Sequence, residues 1–235
     1  MHRVLLEVLS VYALLFGGTL IFSKIGELGG WLGELGNTAI PLSLWLSAQE
    51  MATRRGGARR FGIDLGGLWG ESQPQLFALL GEGLKELGVA VALAVLIFPP
   101  FALGFALWHN PPHPFEWRIP QAFTAFVIAQ FLVVALPEEA FFRGYVQTRL
   151  HDCFVPRFRW LGAEFHPLAL VIQALLFALI HLASEARIEK LATFFPGLVF
   201  GGLRAWWGGI GASLCFHALS NVFAEFLVEG WLRPS

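Results

Sequence analysis

Pro137-Glu138-Glu139-Ala140-Phe141-Phe142-Arg143-Gly144 closes a long apolar run that begins at Gln121. From Gln121 to Leu136, Phe, Val, Ala, Leu and Ile outnumber a few uncharged polar residues. The octet therefore sets adjacent carboxylates and an arginine at or inside an apolar helix long enough to span a bilayer. A charge near the bilayer centre costs roughly 2.5–3.5 kcal/mol on the insertion scale, so such groups face a polar interior and serve function. Glu139 and Arg143 are i and i+4, acid first, which predicts an ion pair on one helix face. Glu138 points about 100° away, with no sequence-local cation on its own face. One glutamate is neutralised by its neighbour and the other is left available.

Working outward, the 235 residues are 56% apolar and only 14% charged, and the mean hydropathy is +0.62. A soluble helical domain carries more charge on its outward faces. The composition predicts an all-α, polytopic membrane helical bundle of about six to eight transmembrane helices, a single membrane domain over residues 1–235. N-terminal spans occupy about 4–110 and a catalytic core about 121–229. A net charge of −1 argues against nucleic acid as a partner, because no basic face can neutralise phosphates. Cys153 and Cys215 are too few for a disulfide framework and fit no metal-binding spacing.

The apolar stretch 4–22 follows Arg3 like a signal peptide, but Glu7 interrupts it and no small-residue cleavage site follows, so a retained first span is expected. A second segment covers 30–48, with Pro41 as a kink. Arg54-Arg55-Gly56-Gly57-Ala58-Arg59-Arg60 is the most basic stretch. By the positive-inside rule this loop faces the cytoplasm, which puts the N-terminus there too and allows contact with anionic lipid. Residues 61–82 suggest an interfacial helix. A span over 84–107 is expected to kink or end at Pro99-Pro100. The loop 108–120 holds four prolines and Trp117, with His109 and His113 as solvated loop histidines. Next come the organising helix (121–150), a second basic connection (151–166) with Arg157, Arg159 and Trp160, and a span over 167–183. A charged connection (184–190) leads to a segment over 191–207, whose Gly197, Gly201 and Gly202 suit close helix packing. The last span covers 212–228. Arg outnumbers Lys 13 to 3, a bias that points to a bacterial inner membrane.

The intramembrane polar set is Glu138, Glu139, Arg143, His181, His217 and Asn221. His217 and Asn221 project from one helix face, and Phe177 sets a ring beside His181 at the same spacing. A glutamate without a cation, two histidines and an asparagine on three helices converge only in a polar, water-accessible cavity. A poorly solvated carboxylate there is a stronger base than one in water. The His and Asn groups can hold a water or donate to an oxyanion. These parts suffice for acyl hydrolysis without a Ser or Cys nucleophile. Glu138, His181 and His217 also match a His₂Glu zinc site in ligand type, although no H-E-x-x-H motif is present. A proton relay through Glu138, His181 and His217 in a transporter or channel, and a catalytically silent scaffold, are the competing readings.

Glu138-Glu139-x-x-x-Arg143, then Phe177-x-x-x-His181, then His217-x-x-x-Asn221, on successive helices, resemble the three motifs of the CPBP family. This is the CAAX protease and bacteriocin-processing (Abi) group of intramembrane endopeptidases, to which the type II CAAX prenyl endopeptidase belongs. The resemblance covers about 121–221. It implies that Glu138 activates water with help from His181, that His217 and Asn221 stabilise the oxyanion, and that Glu139 and Arg143 brace the site. It implies a membrane-anchored peptide or protein substrate and, on the glutamate-dependent reading, no metal, with a divalent zinc ion as the alternative. With the Arg54–Arg60 loop inside, Glu138 falls in the cytoplasmic half of its helix, whereas His181 comes late in the next span and is expected nearer the far side.

Overall fold

A computed structural model of the chain describes residues 2–65, 76–154, 158–160 and 162–233. Its helices are α1 (His2–Gly26), α2 (Gly30–Arg54), the single turn α3 (Ala58–Phe61), α4 (Leu76–His109), α5 (Phe123–Cys153), α6 (Pro167–Ser184), α7 (Phe194–Trp207) and α8 (Gly211–Trp231). A short antiparallel hairpin, β1 (Phe158–Trp160) with β2 (Ala163–Phe165), joins α5 to α6 and sets Arg159 opposite Glu164. A tight turn of 3-10 helix, Ile188–Thr193, leads into α7. Residues 155–157, including the expected basic Arg157, lie outside the described residues.

Among the described residues, 5 helices are long and apolar enough to cross a membrane: α1, α4, α5, α6 and α8. Their outer faces carry exposed Leu14, Leu96 and Leu107, the inverse of a soluble bundle and the surface that lipid requires. Helix α2 is as long as α1, but Glu34, Asn37, Pro41, Gln49 and Glu50 dilute its apolar character. It packs along α1 and against the second half of α5. Helix α7 is too short to span and is wedged against both α6 and α8. The helical bundle is as expected, with fewer span-length apolar helices than the six to eight read from the sequence.

Two local expectations change. Pro99-Pro100 do not end their helix, since α4 continues to His109. Both prolines lie on its exposed face, where the rings meet no packed neighbour. The stretch beginning at Phe61 is not interfacial at its start: Phe61 and Ile63 are fully buried, and Ile63 fills the space beside Gly144 of α5. Residues 66–75 of that stretch lie outside the described residues.

Helix α5 is wound unevenly. Gln130–Ala135 and Ala140–Gln147 have the wider π-helical winding, and the α-helical turn Leu136–Glu139 lies between them. Pro137 supplies the reason for the first wide stretch. It has no N–H for the Val133 carbonyl and its ring crowds that carbonyl, and a widened turn relieves both. The glutamates thus sit on a short, tightly wound turn between two loosened ones.

Helix α7 closes on α5 and α6 through its glycines. A Cβ on Gly201 would stand 2.5 Å from Gln173 Nε2 and 3.2 Å from Gln147 Oε1, and one on Gly197 would stand 3.3 Å from Ala174. The exposed carbonyls are used. Gln173 donates to Gly197 O and Gln147 to Gly201 O, each at 2.9 Å. Gly202 departs from the expectation: a Cβ there would meet nothing within 4 Å, so it is not on the packing face.

Candidate active site

Glu138 and Glu139 come from the middle of α5, His181 from the last turn of α6, and His217 from the second turn of α8. The depths of Glu138 and His181 agree despite their different places in their spans. Counted back from Cys153 and forward from Pro167, they lie a similar number of residues from the hairpin end, and His181 Nε2 comes within 3.8 Å of Glu138 Oε2. The expected offset of His181 toward the far side is therefore corrected. Helix α5 is longer than a span needs, so its middle is level with the end of the shorter α6.

Glu139 and Arg143 are both 0% exposed, with Nη1 and Oε1 3.0 Å apart. The guanidinium lies 4.1 Å from the Phe177 ring centroid and 4.9 Å from that of Phe200. Its Nη2 donates to Gly197 O at 3.4 Å. Enclosure by aromatic faces suits a cation without adding competing charge. Glu139 does more than neutralise this arginine. His217 Nδ1 donates to Glu139 Oε1 at 2.9 Å, and the His217 ring stacks on Phe200 at 4.6 Å. The imidazole is thereby fixed in both tilt and rotation.

His181 Nδ1 lies 2.9 Å from Phe177 O. A carbonyl only accepts, so this nitrogen carries the hydrogen. The Phe177 ring meets His181 edge-on at 4.5 Å, as the i,i+4 spacing predicts. Both imidazoles therefore use Nδ1 for anchoring and turn Nε2 toward Glu138. His181 Nε2 is 3.8 Å and His217 Nε2 is 3.6 Å from Glu138 Oε2. That oxygen is buried and has no hydrogen-bond partner, although the side chain as a whole is 17% exposed. Three electron-pair donors face one small volume too wide for direct hydrogen bonds. A water, donating its two hydrogens, or a cation answers such an arrangement.

Asn221 lies one turn beyond His217 on α8. Its Nδ2 donates to Gln130 Oε1 at 2.9 Å, so the amide's orientation is set from α5, two turns before Glu138. No direct contact joins Asn221 to Glu138 among the described residues. Gln130 is the site-proximal residue that sequence reasoning missed. Its signal was a lone glutamine in an apolar run, about two helical turns ahead of Glu138.

The donor types suit zinc, and a histidine whose Nδ1 is held by a carboxylate or a carbonyl is the usual form of a zinc ligand. Grouping is a stricter test: among the described residues, no three His, Cys, Asp or Glu side chains are gathered closely enough to hold a metal ion. The 3.6 and 3.8 Å separations need inward adjustment before a shared ion is reached.

Residues 120–223 match the family model described as type II CAAX prenyl endopeptidase Rce1-like. This stretch of the chain is similar to the Rce1-like family. The match takes in all of α5 through most of α8, and with them every group described above. It supports a protease, and with the five apolar helices it makes the chain an integral, multi-pass membrane protein. No curated protein and no solved structure matches the chain. Helices α1 to α4 lie outside the Rce1-like match.

Proposed function

We propose that this protein is an intramembrane endopeptidase that hydrolyses a peptide bond with a water activated by Glu138. The observation that carries the reading is the convergence of Glu138 Oε2 with the Nε2 atoms of His181 and His217. Both imidazoles are held at Nδ1 by acceptors. A water in that volume donates one hydrogen to Glu138 and the other to His181, which leaves its remaining lone pairs for a carbonyl carbon.

As the water oxygen attacks, its proton passes to Glu138. The carbonyl oxygen becomes an oxyanion that accepts from Asn221 Nδ2, whose second hydrogen is not used by Gln130. The Glu139 carboxylate on Nδ1 fixes the His217 ring beside this oxyanion, much as an aspartate orients the histidine of a catalytic triad. Collapse of the tetrahedral species breaks the C–N bond, and Glu138 returns the proton to the leaving amine. Glu139 and Arg143 are positioning residues, acting through His217. Were a zinc ion the occupant, Glu138, His181 and His217 would hold it and it would polarise the carbonyl.

The substrate we propose is a membrane-anchored peptide or a protein with a hydrophobic tail, since the site lies roughly 20 Å from the hairpin end of the bundle among lipid-facing helices. The charge of the Arg54–Arg60 loop supports a cytoplasmic N-terminus. Arg55 and Arg149 both pair with Glu7 near the N-terminus, at 2.6 and 3.0 Å, so the loop, the end of α5 and the start of α1 share one end of the bundle. The positive-inside rule assigns that end to the cytoplasm.

The test is cleavage of a library of membrane-anchored peptides by protein in nanodiscs, wild type beside Glu138→Gln, each with and without a chelator. Loss with Gln and survival with chelator is expected. Full cleavage by Glu138→Gln refutes the general-base role, and loss with chelator that zinc restores moves the chemistry to a metal. Proton movement in liposomes by a wild type that cuts nothing favours the relay.

A further inference from the structure

The arginines of the Arg54–Arg60 loop and Arg204 have no part in the chemistry above. At the end of α5, the loop and the last turn of α7 meet around a cavity of about 260 Å³. Arg60, Gln147, Thr148, Asp152, Glu164 and Arg204 are in its lining. The charges sort by partner. Asp152 accepts from Arg60 at 2.8 Å and from Arg149 at 2.7 Å. Glu164 lies 4.0 Å from Arg159, opposite it in the hairpin. Both carboxylates that face the cavity thus have their own cations.

Arg204 is different. Its Nη2 donates to Phe61 O at 3.1 Å and to Thr148 Oγ1 at 3.4 Å, and both acceptors are neutral. Its Nε is buried and has no hydrogen-bond partner. Asp64 acts on the guanidinium through space, but no carboxylate among the described residues forms an ion pair with it. The backbone makes room for this arginine: Gly62, at φ +65°, would bring a Cβ within 2.8 Å of Nη2. In a part-buried cation, a buried N–H left idle is costly unless an acceptor meets it. Gln147 Oε1 is likewise buried without a partner, while its amide nitrogen is committed to Gly201 O. The cavity is therefore lined by one guanidinium with an idle N–H and no ion pair among the described residues, and by one side chain with an idle acceptor. An oxyanion answers the first, and a hydroxyl or ammonium answers the second.

We propose that this cavity binds a phosphate group bearing a hydroxyl or ammonium substituent. That chemistry is shared by phospholipid headgroups and by small free phosphate esters. Arg204 anchors the phosphate from inside, where its planar fork suits two oxygens at once. Arg60 meets it at the mouth, and the substituent reaches Gln147 Oε1. The basic loop around the mouth raises the local concentration of anions.

The test uses the full chain, stripped of lipid in detergent. Thermal unfolding is followed with glycerol phosphate or phosphoethanolamine, against sodium chloride of equal ionic strength. Retained phospholipid is counted by native mass spectrometry after extraction from phosphatidylcholine bilayers with and without phosphatidylglycerol. A saturable upward shift in Tm is expected with ester or phospholipid and not with chloride. Affinity is expected to fall at least tenfold in Arg204→Gln and to be unchanged in Glu138→Gln, which separates this site from the proposed active site. A shift with the soluble esters identifies a free phosphate ligand, whereas retention of phospholipid alone identifies a headgroup. Wild type that neither shifts nor retains lipid beyond the chloride control overturns the proposal, as does Arg204→Gln binding within twofold of wild type. Should Arg204→Gln not fold, Thr148→Val decides. It removes a partner that holds the guanidinium in place, and unchanged affinity there also overturns the proposal.

Discussion

Replacing Arg143 with Met separates the two halves of the most deeply buried charge pair in the site. The perturbation removes a guanidinium that is 0% exposed and 3.0 Å from Glu139, and it leaves a buried carboxylate whose neighbours His217, with Nδ1 at 2.9 Å, and Ser213 carry no full counter-charge in the neutral state. Breaking one partner of a buried pair costs about 3–5 kcal/mol, because the other charge is left uncompensated. Loss of the contacts with Phe177 and Phe200 adds about 1 kcal/mol. Met fills much of the volume, so cavity formation is a minor contribution. The double variant Glu139→Gln/Arg143→Met removes the stranded charge, and the Gln carbonyl still accepts from His217. It is expected to be less destabilised than Arg143→Met alone. The two substitutions should therefore be coupled by about 2–3 kcal/mol, in the range found for residues in direct contact. The assay is equilibrium unfolding in mixed micelles for wild type, both singles and the double. A loss below about 1 kcal/mol for Arg143→Met, or strict additivity across the cycle, refutes the assignment of Glu139 as a charge that needs Arg143.

Four further outcomes follow from local surroundings. Gln130→Leu frees the Asn221 amide to rotate and is expected to lower kcat about tenfold with KM little changed, less than the roughly 100-fold or more of a deleted oxyanion donor because the amide is loosened and not removed. Its effect should be non-additive with Asn221→Ala, and full additivity in cleavage rates argues against a shared role. Gly201→Ala forces a Cβ toward Gln173 and Gln147 and is expected to cost about 1–3 kcal/mol by overpacking, measured by the same unfolding assay. Gly202→Ala, on the open face of the same helix, is expected to be neutral or stabilising by up to about 1 kcal/mol. Glu7→Gln removes the acceptor shared by Arg55 and Arg149. Because that cluster is partly exposed, limited proteolysis of the loop near Arg55 is the readout, and faster cutting in the variant is expected.

The sequence made legible what depends on spacing within one helix. The Glu139–Arg143 pair and the Phe177–His181 contact are i,i+4 relations, and the structure keeps both. Convergence of Glu138, His181 and His217 was legible for a different reason: polar groups in apolar helices have only one another to face. What stayed hidden depends on how the helices are wound and how they cross. The wide turns on either side of Leu136–Glu139 change which residues share a face, and one proline in a sequence does not specify that answer. The tie from His217 to Glu139 rather than to water is a tertiary fact. So is the hydrogen bond from Asn221 to Gln130, since a lone glutamine in an apolar run reads equally well as a packing group.

Arg204 shows the same limit from the other side. In the sequence it is one arginine near the end of an apolar segment, where a cation complements the helix C-terminus or reaches toward the interface. Its idle Nε and neutral partners become visible only when Phe61, Gly62 and Thr148 are brought around it from two other segments. Buried Arg143 and part-buried Arg204 contrast in a way that separates their uses. Arg143 has a carboxylate at 3.0 Å and an aromatic enclosure, so its charge is answered within the fold and its role is to hold Glu139, and through it His217, in place. Among the described residues Arg204 hydrogen-bonds only to a carbonyl and a hydroxyl, with Asp64 acting through space and no ion pair formed. One guanidinium is closed off against its counter-charge and belongs to the structure, whereas the other keeps an idle N–H beside a cavity, the opening that the proposed phosphate would fill.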